Sequence, residues 1–174
     1  MSNGLIRFQP LGGWITTNIP AHEVVIRNGR GEYIKGITTS RPPHFMSEAD
    51  RERKLMLEDI FIDVGATSRA EVIEDFGIEA GDPVAPSVNF RYNEKNGVVM
   101  GKAFDNRMGC LCIIETLERL KEEVLNIDVI GAFAAQEEVG TRGAEVTART
   151  VQPDLAIVFE GSPADDLYYD EFTA

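Results

Sequence analysis

The spacing of hydrophobic and polar residues changes near residue 91 of this 174-residue chain. Before that point, short runs rich in valine, isoleucine and threonine stand between turns that contain glycine and proline, a pattern typical of strands. The runs predicted as strands are residues 4–9, 22–27, 32–39, 59–64 and 84–92. Residues 1–91 are therefore predicted to form a small β-barrel or sandwich.

Two local signals refine this half of the chain. Asn28-Gly29 lies between two strand-like runs and predicts a hairpin. A helix is predicted over residues 68–77, because Ser68 can cap its first turn and Glu71 follows three residues later. Gly77 then ends the helix.

The second half alternates between strand-like and helical patterns. Residues 108–123 are predicted as a helix, because apolar residues recur on one face; they are Leu111, Ile114, Leu117 and Leu120. A second helix is predicted at 143–150, and strands at 98–104, 127–135 and 155–159. This order implies a parallel sheet with right-handed crossovers. The chain is therefore predicted to be an α/β protein, with residues 92–174 forming part of a parallel or mixed sheet with helices.

Composition excludes two classes of partner. The net charge of -12 argues against nucleic acid and anionic membranes, which call for basic patches. No apolar run approaches the roughly 18 residues of a membrane span. Cys110 and Cys112 lie two apart on a predicted helix, so they point to different faces, and a reducing cytoplasm is the expected location.

Acidic residues follow each of the three predicted strands of the second half. Asp105 follows the first, Glu137 and Glu138 follow the second within IGAFAAQEEVGT, and Glu160 follows the third. In an open α/β sheet, functional groups gather beyond the carboxyl ends of the strands. Carboxylates there can hold divalent cations, and two cations can share and activate a water. Of the adjacent glutamates, one is free to ligate and the other to move the proton of that water.

Each acid also has a simpler explanation. A Glu-Glu pair is common on solvated loops, and Glu160 before Gly161 can be an ordinary turn residue. Asp105 and Asn106 can merely cap the helix that follows them. The residues alone leave the metal site and these explanations open.

Five segments resemble the cytosolic tetrahedral, or glutamyl and deblocking, aminopeptidases, which are co-catalytic zinc metallopeptidases; some members have also been labelled endoglucanases. The segments are IRFQPLGGW, TTSRPPHF, GKAFDNRMGC, AAQEEVGTRGAE and PDLAIVFEGSPADD. The resemblance implies that Asp105 bridges two metals, zinc or cobalt, that Glu138 and Glu160 each ligate one, and that Glu137 is the general base. It also implies a cis peptide bond at Asp105-Asn106, and it implies Asp in many relatives where this chain has Glu160.

The same resemblance implies a domain organisation. Residues 1–91 would be an inserted β-barrel domain that makes dimer contacts and helps to build a dodecameric, tetrahedral homo-oligomer. Residues 92–174 would be part of the catalytic domain. The implied activity is metal-dependent hydrolysis of the N-terminal peptide bond of short peptide substrates in the cytoplasm.

The chain departs from the family at two histidine ligands, one before the inserted domain and one near the carboxyl terminus. Its only histidines, His22 and His44, match neither position and are not assigned to the metal. We therefore expect a truncated chain that is inactive alone.

Two alternatives to the peptidase remain from the sequence. One is a non-catalytic oligomerisation or scaffold module that acts through the barrel. The other, less favoured, is a glycoside hydrolase, which also uses paired carboxylates but needs no metal. The sequence leaves the native metal and the preferred N-terminal residue open.

Overall fold

The structure is a computed structural model that describes residues 1–164. It divides into two compact units, Met1–Lys102 and a second unit that begins at Ala103. The predicted domain boundary, after residue 91, lies before the division between these two units. It stays a prediction. Within residues 1–164, no helix combines the length and apolar character that crossing a bilayer requires.

The first unit is built on a four-stranded antiparallel sheet with the order β3-β2-β1-β4. Its strands are β1 (Glu23–Arg27), β2 (Tyr33–Ser40), β3 (Ile60–Asp63) and β4 (Val84–Pro86). Two short helices accompany the sheet, α1 (Glu48–Glu52) and α2 (Arg69–Glu74), and a separate hairpin follows, β5 (Arg91–Asn93) and β6 (Val98–Met100).

The core of the first unit follows the period-two pattern of the strands. Ile26, Ile60 and Ile62 are each only 1% exposed, because alternate side chains of a strand point to the same face. Val72 of α2 belongs to one hydrophobic cluster with Ile26 and Ile62. The predicted strands at 22–27, 32–39 and 59–64 are confirmed with small shifts at their ends.

Two predicted strands of this unit are shorter than expected. Residues 4–9 contribute only an isolated bridge between Ile6 and Ile62. The run 84–92 divides into β4 and β5, since the Val88 N–H turns back to the Pro86 carbonyl at 3.0 Å and bends the chain out of the ladder.

The hairpin at Asn28 and the cap at Ser68 are confirmed. Strands β1 and β2 pair with Arg27 opposite Tyr33, and the Asn28 side chain, 2% exposed, accepts the Arg30 and Glu32 N–H groups. The Ser68 hydroxyl accepts the Glu71 N–H at 3.2 Å.

Up to residue 164, the second unit contains the α-helices α3 (Phe104–Leu120) and α4 (Arg142–Val151), which confirm both helix predictions in this half. The segment that contains Gly131 approaches α3 closely. A Cβ carbon at Gly131 would lie only 2.7 Å from the Leu117 Cδ1 atom, so a larger residue would not fit without a shift.

The prediction of a parallel sheet is wrong for the part of the chain that the structure describes. The run at 98–104 forms only β6, which pairs antiparallel with β5. The runs at 127–135 and 155–159 join no ladder, and Val158 is 83% exposed. A continuous apolar run predicts burial but does not supply the neighbouring strand whose N–H and C=O groups must pair with it.

The apolar stripe of α3 is also more exposed than its pattern predicts. Leu111, Ile114 and Leu117 are all exposed to solvent.

Candidate functional site

Asp105 lies where the chain turns into α3. Ala103, two residues earlier, has a positive φ of 58°, and the backbone angles of Asp105 and Asn106 are not helical. The peptide bond between Asp105 and Asn106 is cis, which confirms that expectation. The Asp105 side chain is therefore carried by irregular backbone at the helix entrance and is exposed to solvent.

The capping role is confirmed for Asn106. Its Oδ1 atom accepts the Gly109 N–H at 2.8 Å, which satisfies one of the free donors of the first helical turn. Its Nδ2 atom donates to the Phe159 carbonyl at 2.7 Å. One side chain thus contacts both the helix and the residue immediately before Glu160.

The residue after Glu160 lies against the backbone of Asp105. At this residue, Gly161, a Cβ carbon would lie 3.3 Å from the Asp105 Cα and 3.4 Å from its Cβ. The Glu160 carboxylate accepts the Gly161 N–H at 2.7 Å, a local contact that an ordinary turn residue would also make. The structure therefore places the segments of Asp105 and Glu160 side by side.

Glu137 and Glu138 lie in a short 3-10 helix, Glu137–Val139, between the apolar run and α4. The Gly143 N–H donates to the Ala135 carbonyl at 2.9 Å, and a Cβ carbon at Gly143 would overlap that carbonyl. This close approach fixes the turn that carries the two glutamates, whose side chains are both exposed.

These acids do not complete a metal site by themselves. Across residues 1–164, no group of three or more His, Cys, Asp or Glu residues has a geometry that could hold a metal ion. Their carboxylate oxygens suit a divalent cation chemically, and Asp105 and Glu160 come from adjacent backbone. They therefore fit part of a ligand set, and the structure does not join them to Glu137 and Glu138 in one cluster.

Both histidines belong to the first unit. The His22 Nδ1 atom lies 3.0 Å from the Pro20 carbonyl oxygen, and His44 lies in the exposed 3-10 helix Pro43–Phe45. The residue that sequence reasoning missed is Asn106 in its contact with Phe159. Its position after Asp105 signalled a cap, but no local pattern signals a partner so distant in sequence.

The sequence matches a family model described as M42 glutamyl aminopeptidase over residues 1–173. The glutamyl aminopeptidase of Lactococcus lactis subsp. cremoris (strain MG1363) is 33% identical over 171 residues, which cover 98% of this chain and 48% of that protein.

Solved structures give the same result. The TET aminopeptidase from the marine sediment archaeon Thaumarchaeota archaeon SCGC AB-539-E09 matches with a TM-score of 0.86 and 40% identity, over 96% of this chain and 47% of that one. The Pyrococcus horikoshii TET1 peptidase, described as assembling into a tetrahedron or a large octahedral shell, matches with a TM-score of 0.72 and 30% identity, over 85% and 43%. This chain thus spans a little under half the length of each relative.

Proposed function

The chain belongs to the M42 glutamyl aminopeptidase family, and on that basis we propose that the whole protein is a metal-dependent aminopeptidase acting on short peptides. The observation that carries the proposal is the family match along nearly the entire chain. The neighbouring positions of Asp105 and Glu160 support it. The glycoside hydrolase and scaffold alternatives are not favoured, since the relatives are named aminopeptidases.

We propose that Asp105, Glu138 and Glu160 contribute ligands to two divalent cations, zinc or cobalt, with Asp105 bridging them. When bound, such cations would polarise the scissile carbonyl and acidify a water. The donor chemistry supports this assignment, because carboxylate oxygens are ligands that divalent cations accept. We expect the longer side chain of Glu160 to reach the metal from a position where the resemblance implies Asp in many relatives.

Glu137 is proposed as the general base. Its carboxylate would take a proton from the attacking water and later return that proton to the leaving amine, so one residue serves both halves of the reaction. An exposed position at a turn supports this role, because the carboxylate is open to both substrate and water.

We also propose that residues 1–91 act as the inserted β-barrel domain and make homo-oligomer contacts, and that residues 92–174 are part of the catalytic domain. The four-stranded antiparallel sheet supports a separate β domain in the first part of the chain. The assembly described for the Pyrococcus horikoshii relative supports the homo-oligomer contacts. The cytoplasm is the proposed location.

Hydrolysis of aminoacyl p-nitroanilides tests the proposal. The whole protein should cleave a substrate with a free amine, lose activity with EDTA, and regain it with cobalt or zinc, while the matched N-acetylated substrate should stay intact. The 174-residue chain alone should be inactive. EDTA-insensitive cleavage of a glucan without cleavage of any anilide would overturn the proposal.

A further inference from the structure

One side chain links the two backbone segments that carry Asp105 and Glu160. The Asn106 carboxamide accepts the Gly109 N–H through its oxygen and donates to the Phe159 carbonyl through its nitrogen. The two bonds use opposite ends of the same amide group. The donor end spans 53 positions in sequence, whereas the acceptor end is local to the helix.

Two glycines leave room for this arrangement. Gly109 is buried, and a Cβ carbon there would overlap the Asn106 carboxamide. Gly161 lies against the Asp105 backbone on the other side of Glu160. The hydrogen bond from Asn106 to Phe159 and the contact between Gly161 and Asp105 therefore join the same two segments, one on each side of Glu160.

We propose that Asn106 is a positioning residue that holds the Phe159 and Glu160 backbone against Asp105. This inference rests on the proposed function in one respect, that the two carboxylates act on the same metal site. A cap needs only an acceptor, which Ser, Thr and Asp also supply. The link needs a donor that reaches Phe159, and Asn supplies both.

Substitution at this residue separates the two roles. Asn106→Ser keeps a strong cap but is too short to reach the Phe159 carbonyl, and Asn106→Asp keeps the acceptor but places a carboxylate against that carbonyl. Asn96→Ser is the matched control, because the Asn96 side chain accepts the Val98 N–H within the hairpin of the first unit.

The direct test is NMR on the metal-free 174-residue chain. We expect the carbonyl carbon of Phe159 and the amide of Glu160 to shift in Asn106→Ser and Asn106→Asp, with helix content by circular dichroism unchanged. Asn96→Ser should leave both signals in place. Unchanged Phe159 and Glu160 signals in both Asn106 variants would overturn the proposal.

Cobalt titration of the whole protein by calorimetry tests the consequence. Loss of a partner that orients a ligand weakens metal affinity by about 10- to 100-fold, and we expect about 10-fold for Asn106→Ser. Equal affinity in wild type and variant would overturn the positioning role while leaving the proposed function standing. If the wild type binds no cobalt, the proposed function fails, and the NMR shifts still decide whether Asn106 holds the two segments together.

Discussion

Gly161 lies against Asp105, so closely that a Cβ carbon on Gly161 would be 3.3 Å from the Asp105 Cα. Gly161 follows the candidate ligand Glu160, so the contact brings the Glu160 segment to the backbone of the candidate ligand Asp105. It also depends on the absence of a side chain, so the smallest possible substitution tests it.

Gly161→Ala should separate the two segments by a few tenths of an ångström. We expect a loss of about 1 kcal/mol in the free energy of unfolding, typical of mild overpacking, measured by urea unfolding of the 174-residue chain. In the whole protein, cobalt affinity should fall as well. Gly13→Ala is the control, because no atom lies within 4 Å of the Cβ position at Gly13. Equal losses in the two variants would show that the Asp105 contact has no special role.

The turn that carries Glu137 and Glu138 depends on a second close approach, between Gly143 and Ala135. Gly143→Ala would place a methyl group on the Ala135 carbonyl. Because this carbonyl belongs to the backbone, it cannot move aside by a change of side-chain rotamer. We expect destabilisation of about 1–3 kcal/mol, larger than that of Gly161→Ala. Thermal unfolding of the two variants side by side measures this order, and the reverse order would contradict the packing described for the turn.

The adjacent glutamates should give different defects in the whole protein. Glu137→Gln removes the proposed base, so turnover should fall by about 100- to 10,000-fold while metal content by elemental analysis stays unchanged. Glu138→Gln should instead lower metal content, and activity should recover in part with excess metal. Each variant is the control for the other. Full activity in Glu137→Gln would remove that residue from the role of base.

Local sequence patterns predicted the parts of the fold that local interactions form. The alternation that places Ile26 and Ile62 in the core is visible in the sequence, and the cap at Ser68 involves a residue only three positions away. The apolar run at 127–135 has the same strand-like composition, but a ladder depends on neighbours elsewhere in the chain. Composition therefore predicted burial, but the described structure leaves Ile127 67% and Ile130 60% exposed, and the run pairs with no strand.

The candidate site, too, was predictable from the sequence only where local patterns indicate it. The acids were recognisable because Asp105 and Glu160 each follow an apolar run, and both lie where their segments meet. The Asn106 side chain was predictable only as a cap, since its second bond reaches Phe159. That partner is fixed by the tertiary structure, and no periodicity or spacing near Asn106 encodes it.

The first turn of α2 should make stability depend on pH through Glu71. The Thr67 backbone N–H, at 2.7 Å, and the Thr67 hydroxyl, at 2.8 Å, both donate to its carboxylate and lower the pKa of Glu71 below its ordinary value. A carboxyl whose pKa is lower in the folded state adds stability above its unfolded pKa, about 4.3 for glutamate, and loses it as pH falls through the folded value. Urea midpoints should therefore drop as pH falls through about 4.3 and below, and less steeply in Glu71→Gln than in wild type. Glu74→Gln, a change in the same helix, is the control and should follow the wild-type slope. If Glu71→Gln has the same slope as wild type and Glu74→Gln, the Thr67 contacts do not hold the Glu71 carboxylate in solution.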